Sequence, residues 1–367
     1  MTTMKRKQYS LGYFNMARGM GTLMVIAGHS MALFLSRMEI GEVPTVFAGA
    51  GRVLGGGVMA MFFLISGFYF KPRPVGRCIR MQARLLKLYY ATAIAIVASL
   101  VLQRFLQGKP WEELGQKLLW TYLFGFNAPA GAVILGQEVG TVSLFWFIFA
   151  LFLGWILYNL ICTIKSVTLR RMCVCLCVVS GWCLTEVSRV WPMAIPMGLI
   201  TVGYIALGSL IREKDLLERR LPITIQVCVM AVALLSLSFG YVDMSVCLWK
   251  LGLLDVAGSF CVGYLLLRLY CLYANRNPHG ILARQTEYVG MHSIWIFCIH
   301  AFEKALVPWQ NLRRIFPDSP VLCMVICFVG RIVVIGALFW LLYRSRKQIR
   351  RKRQHGIVLQ TENGDPE

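Results

Sequence analysis

Long apolar runs alternate with short basic loops along nearly all of the 367 residues. A helix needs about 20 apolar residues to cross a hydrocarbon layer about 30 Å thick. Runs of that kind predict ten crossings, at about 11–36, 55–70, from the basic stretch after 71 to 103, 141–163, 172–190, 192–211, 222–240, 249–271, 286–307 and 320–344. The stretch 111–137 is also apolar but is broken by Gly125, Asn127, Pro129 and Gly131. A full crossing there would put the basic loop of Lys165, Arg170 and Arg171 outside, against the positive-inside bias, so it reads as a partial, re-entrant or external hairpin. The predicted fold class is all-α, a polytopic transmembrane helical bundle occupying 1–345 as one domain, with a basic and then polar tail at 346–367.

Charge sets the orientation. Lys5, Arg6 and Lys7 precede the first helix and KQIRRKRQ follows the last, so ten crossings place both termini in the cytoplasm. The first apolar run is long and lacks a small-residue cleavage site, unlike a signal peptide. Arg313 and Arg314, in the last external turn, are the exception to the charge rule. Composition agrees with the class: 57% hydrophobic and only 15% charged residues exclude an ordinary soluble domain. The net charge of +21 gathers between the apolar runs, where it meets anionic headgroups rather than nucleic acid. The 13 cysteines lie mostly within those runs and show neither CxxC nor Cys/His ligand spacing, so they read as small packing residues and no metal site is expected.

Against that apolar background a few ionisable residues stand out. In the first run, FNMARGMGTLMVIAGHS, Arg18 and His29 are eleven residues apart. On an α-helix that is three turns, about 16 Å, with both side chains on one face. Ionisable groups at such depth are costly and face a polar interior; the plainer alternative has Arg18 snorkelling to headgroups and His29 bonding a neighbouring helix. In GGGVMAMFFLISGFYFKPR, Ser66 and Gly67 form either a packing notch or a wall of the cavity that holds His29. No GxSxG frame makes Ser66 a nucleophile. Arg77, Arg80, Arg84 and Lys87 then recur every three or four residues as a basic stripe, fit for anionic lipid or for the phosphates of a cofactor. Glu186 is a possible partner for an intramembrane cation, and Asp255 sits inside an apolar run. His292, His300 and Glu303 share the run SIWIFCIHAFEK.

Taken together these segments resemble, in order and over essentially the full length, the acyltransferase-3 family of integral membrane acyltransferases. Arg18, ten intervening residues and His29 are similar to its arginine-x10-histidine motif. FFLISGF resembles its second-helix hallmark, the Arg77–Lys87 stripe its basic third-helix motif, SLFWFIFALF its aromatic fourth-helix signature and IFCIHAF its late histidine segment. MAMFFLISGFYFKP resembles the fucose 4-O-acetylase-like branch. One departure is Asn15, where many members carry Asp three residues before the arginine; Asn can bond Arg18 but cannot neutralise it.

The resemblance implies transfer of an acyl group, most often acetyl from acetyl-CoA, to a hydroxyl of a carbohydrate, glycolipid or other envelope acceptor, by a multi-pass protein of the bacterial inner membrane. No cofactor would be permanently bound; acyl-CoA is the donor substrate. His29 would be the catalytic base with Arg18 its companion, Arg77, Arg80 and Arg84 would hold CoA phosphates, and Asn15, Ser66, Gly67, Trp146 and His300 would line the cavity. Imidazole suits the task because its ordinary pKa lies near neutrality. The rival reading is a transporter of a small molecule or acyl group through Arg18 and Asp255, which would rely on a separate partner because no esterase-like domain follows the last helix. Nothing in the sequence sets the oligomeric state.

Overall fold

The computed structural model describes residues 11–35, 45–277 and 280–362; the N-terminal cluster of Lys5, Arg6 and Lys7 and residues 36–44 after the first helix lie outside them. The chain starts with α1 (Leu11–Leu35). Next, α2 (Thr45–Val53) runs through a π-helical turn at Leu54–Val58 into α3 (Met59–Phe68). The second crossing thus begins earlier than the apolar run suggests, because helix continues through Gly55–Gly57 with one widened turn.

Pro74 caps α4 (Val75–Leu106). The stretch with the unresolved reading becomes α5 (Glu112–Phe124), ended by Gly125 in the left-handed conformation, and a two-stranded hairpin of β1 (Val133–Ile134) and β2 (Gln137–Glu138). A 3₁₀ turn, Ser143–Phe145, then leads into α6 (Trp146–Ile161). Ser166 caps α7 (Val167–Val187), accepting from the Leu169 N–H at 3.3 Å. The following elements are α8 (Ile195–Glu213), α9 (Ile223–Phe239), the paired β3 (Val242–Asp243) and β4 (Leu248–Trp249), and α10 (Leu253–Arg276). The predicted ninth crossing is two helices, α11 (Ile281–Met291) and α12 (Ser293–Leu306), broken at His292. The chain finishes with the short α13 (Leu312–Ile315) and the long α14 (Pro320–Glu362).

Eight of these helical stretches are long and apolar enough to cross a membrane. With the 17-residue α9 and the end-to-end pair α11 and α12, they account for the ten predicted crossings. The 32-residue α4 exceeds the about 20 residues a crossing needs, so its basic first turns extend to headgroup level.

Close backbone approach organises the bundle, as expected where lipid supplies no hydrophobic drive between helices. At the α3–α8 crossing a Cβ on Gly67 would stand 2.4 Å from the Ile205 carbonyl oxygen, and one on Gly208 2.3 Å from that of Leu64. Another pair joins α1 to α11, where a Cβ on Gly19 would lie 1.8 Å from the Thr286 oxygen and one on Gly290 1.7 Å from the Asn15 oxygen. These two helices run parallel, residue 15 beside residue 290. Extending that register brings the far half of α1 alongside α12, which fixes the site described next.

Two membrane carboxylates singled out in the sequence have other places. Asp255 is fully buried in the first turn of α10, where it accepts from Ser236 Oγ (2.7 Å), Leu251 N (2.8 Å) and Tyr241 N (3.3 Å). It ties α9 and the β3–β4 turn to α10, and every bond it makes closes the structure rather than opening a path. Glu186 is exposed near the end of α7 and, among the described residues, pairs with no intramembrane cation. Arg313 donates to the Phe34 carbonyl at the end of α1, so a basic residue in the last external turn serves a helix C-terminus. All 13 cysteines are free thiols.

Candidate active site

Arg18 and His29 project at two levels of the bundle. At the first level Arg18 is partly buried, and its guanidinium lies 5.4 Å from the centre of the Tyr69 ring, just past the end of α3. Such a cation–π contact substitutes in part for the carboxylate this helix lacks. Asn15 faces α11 and makes no hydrogen bond to Arg18 among the described residues. Nearby, Arg212 donates to the Phe68 carbonyl (2.9 Å) and to that of Phe70, and Asn159 bonds both backbone groups of Arg73 at 2.9 Å. These contacts pin the sharp Tyr69–Pro74 connection against α6 and α8. Arg77, Arg80 and Arg84 continue from it on the exposed side of α4, opposite buried Cys78, Gln82 and Tyr89. The structure therefore aligns the stripe, and it does not bring it into contact with Arg18.

At the second level four elements converge on His29. Its Nδ1 lies 3.4 Å from Lys304 Nζ, and Lys304 also donates to Ser143 Oγ at 2.7 Å. The His29 and His300 ring centres are 5.5 Å apart. His300 Nδ1 stands 2.7 Å from Glu303 Oε1, whose second oxygen accepts from Trp309 Nε1 at 2.6 Å, while Arg331 of α14 approaches to 3.9 Å. His300, Glu303 and Arg331 are each no more than 2% exposed, so this is an ionisable cluster inside the protein. From Lys304 a line of polar groups leads outward: the Ser143 N–H bonds Thr141 Oγ1 (2.8 Å), Thr141 bonds Asn127, and Asn127 donates to the Ser245 carbonyl. Thr141 is exposed. Hydroxyl and amide groups thus mark the way from the surface to His29.

The remaining expected cavity residues divide between these levels. Trp146 is buried three residues beyond Ser143, against Phe63, in the layer of His29. Ser66 and Gly67 are elsewhere: Ser66 Oγ accepts from Trp155 Nε1 at 2.6 Å, and Gly67 is spent on the α8 crossing. Trp155 is twelve residues past Ser143, about 18 Å along the helix, so the pair belongs to helix packing at the Arg18 level. Conversely, Lys304, Ser143, Glu303 as a partner of His300, and Arg331 complete a site that the motifs alone leave partial. Their signals were the i, i+3, i+4 spacing of His300, Glu303 and Lys304, and an arginine in the middle of the most apolar run of the chain.

A multi-helix membrane bundle with a buried, histidine-bearing polar centre is the class these observations define. A sequence model described as an acyltransferase domain matches residues 11–345. The chain belongs to the acyltransferase-3 family. No curated protein and no solved structure gives a significant match.

Proposed function

We propose that this membrane acyltransferase moves an acyl group, most often acetyl, from acyl-CoA to a hydroxyl of a carbohydrate or other envelope acceptor, in the inner membrane of a bacterium. The observation that carries the reading is the meeting of His29 with His300, Lys304 and Ser143 inside a family-matched bundle. Alcohol attack on a thioester needs a proton acceptor for the hydroxyl and hydrogen-bond donors for the carbonyl oxygen, and imidazole nitrogens with an ammonium supply both kinds of group. The sequence of helix two, which resembles the fucose 4-O-acetylase-like branch, favours a sugar hydroxyl as acceptor.

Donor and acceptor come from opposite ends. The Arg18 end carries the exposed stripe of Arg77, Arg80 and Arg84, whose planar forks suit CoA phosphates. The His29 end carries the polar line through Ser143 and Thr141. The transport reading loses its main intramembrane carboxylate, because Asp255 is held by three donors.

The test is transfer of radiolabel from acetyl-CoA to candidate glycans by the purified protein. His29→Ala is expected to abolish transfer while the protein remains inserted and monodisperse; full activity in that variant removes His29 from the chemistry. Charge reversal, Arg80→Glu with Arg84→Glu, is expected to raise KM for acyl-CoA at least about 10-fold, as two charge-assisted phosphate contacts of about 1 kcal/mol or more each are lost. An unchanged KM returns the stripe to lipid anchoring.

A further inference from the structure

Two histidines meet at the centre of the bundle, and their fixed partners are of opposite kind. His300 faces a carboxylate. Glu303 can only accept, so His300 Nδ1 carries the proton toward Oε1 at 2.7 Å, and the ring's lone pair is on Nε2. That nitrogen is buried and, among the described residues, has no hydrogen-bond partner. Glu303 is itself held on its other oxygen by Trp309 at 2.6 Å, with Arg331 3.9 Å from the first. This is the arrangement in which a third group orients a base.

His29 faces an ammonium instead. Lys304 has donors and no acceptor, so His29 Nδ1 receives its hydrogen bond and the imidazole proton is on Nε2. One ring therefore offers a lone pair and the other an N–H. The two ring centres are 5.5 Å apart, so the lone pair and the N–H belong to neighbouring rings.

We infer that the two histidines divide the proton work: His300, oriented by Glu303, accepts the proton of the acceptor hydroxyl, while His29, oriented by Lys304, donates a hydrogen bond to the acyl carbonyl oxygen. This rests on the acyl-transfer reading and reassigns the base that the motif alone gives to His29. As the hydroxyl oxygen bonds to the carbonyl carbon, its proton passes to His300 Nε2 and the carbonyl π pair moves onto oxygen. The negative charge meets the His29 N–H with Lys304 behind it. Collapse re-forms the carbonyl, breaks the C–S bond, and the departing thiolate takes the proton back from His300. Ester and free thiol leave with no proton or electron left over. Glu303 and Lys304 act through the rings they hold and are positioning residues.

The experiment pairs kinetics with spectroscopy. In the radiolabel assay His300→Gln, which has no basic nitrogen, is expected to lower kcat at least about 100-fold with KM for acyl-CoA little changed. Glu303→Gln should lower kcat about 100- to 10,000-fold, again with KM held, because an amide no longer selects the Nδ1–H tautomer. His29→Gln keeps an N–H and should retain at least about 10-fold more activity than His29→Ala. In ¹⁵N-histidine-labelled wild-type protein, with resonances assigned by the single variants, His300 is expected as the Nδ1–H tautomer and His29 as the Nε2–H tautomer. The same tautomer on both rings, or near-normal kcat in His300→Gln, overturns the division. If the wild-type protein transfers no acyl group, the acyl-transfer reading falls, and the spectrum still decides which ring holds the lone pair.

Discussion

Replacing Gly290 by Ala tests whether the α1–α11 backbone contact sets the geometry of the site. The new Cβ would stand 1.7 Å from the Asn15 carbonyl oxygen, where ordinary contact begins near 3.4 Å. The obstacle is backbone, so no rotamer relieves it, and the helices must part by about 1.7 Å at that point. If α1 shifts bodily, His29 moves by the same amount. If it pivots about its far end, Asn15 is about 30 Å from the pivot and His29 about 9 Å, so the ring moves by about 0.5 Å. Either shift opens the 3.4 Å contact with Lys304 beyond hydrogen-bond length.

Overpacking of this kind typically costs about 1–3 kcal/mol of stability. A misplacement of about 1 Å at reacting groups costs about 100-fold in rate, so kcat should fall between about 10- and 1,000-fold. The assay is the transfer rate at saturating acetyl-CoA, normalised to monodisperse protein, beside a thermal melt in the same detergent. Gly336→Ala is the control, because nothing lies within 4 Å of a Cβ there. A Gly290→Ala variant with normal kcat and normal Tm would refute the reasoning.

Ser66→Ala should destabilise the protein by about 1–2 kcal/mol, by stranding Trp155 Nε1, and leave kcat per folded molecule intact; a kcat defect without a Tm change would put Ser66 in the cavity. Asp255→Ala removes a buried acceptor from two backbone N–H groups and Ser236, and should cost about 3 kcal/mol or more by thermal or chemical melt. A neutral effect would mean those donors find other partners. Burial pushes the Cys247 thiol up to about 12, so at pH 8 it is almost wholly protonated, and its thiolate appears only as pH rises towards that value. Mass-spectrometric mapping should therefore find Cys247 alkylated about 1,000-fold more slowly in folded than in unfolded protein, and equal rates would contradict its burial.

Hydropathy was enough for the class and the crossings, because a bilayer imposes one length on every helix, whereas it was the charge of the 165–171 loop that set 111–137 apart, where the structure has the 13-residue α5 and a hairpin. Hydropathy missed the break at His292 and the early start of the second crossing. Both depend on how a turn packs: His292 sits between the rings of Tyr288 and Phe339, and the π turn lets Gly56 lie under Val242. The motif pair Arg18 and His29 drew attention to α1, where the structure sets Arg18 beside Tyr69 and His29 beside Lys304 and His300. What it could not supply was the register between α1 and α12, and with it the partners of His29. That register is carried by Gly19 and Gly290, which look like any other glycines of an apolar run. Ser66 and Gly67 misled for the related reason that a packing notch and a cavity wall have the same small residues.

The charge count at the centre constrains what the site is for. Glu303 is the carboxylate at the heart of the described cluster; it is shared by His300, Trp309 and Arg331, while Lys304 reaches His29 and Ser143 with Glu303 and Asp243 as the negative charges acting on it. Removing charge from water is costly unless an opposite charge answers it, and in this cluster Lys304 and Arg331 share one buried carboxylate, Glu303. Arg331 Nη1 lies 3.9 Å from Glu303 Oε1, and among the described residues its Nε and Nη1 have no hydrogen-bond partner. In the proposed reaction the negative charge developing on the carbonyl oxygen would meet the His29 N–H with Lys304 behind it, while His300 keeps its own N–H on Glu303. Preorganised donors of this sort need no rearrangement at the moment of reaction. On the proposed reading the same charge would be answered by Lys304, and the helices that carry Lys304 and Arg331, α12 and α14, pack beside α1, which carries His29.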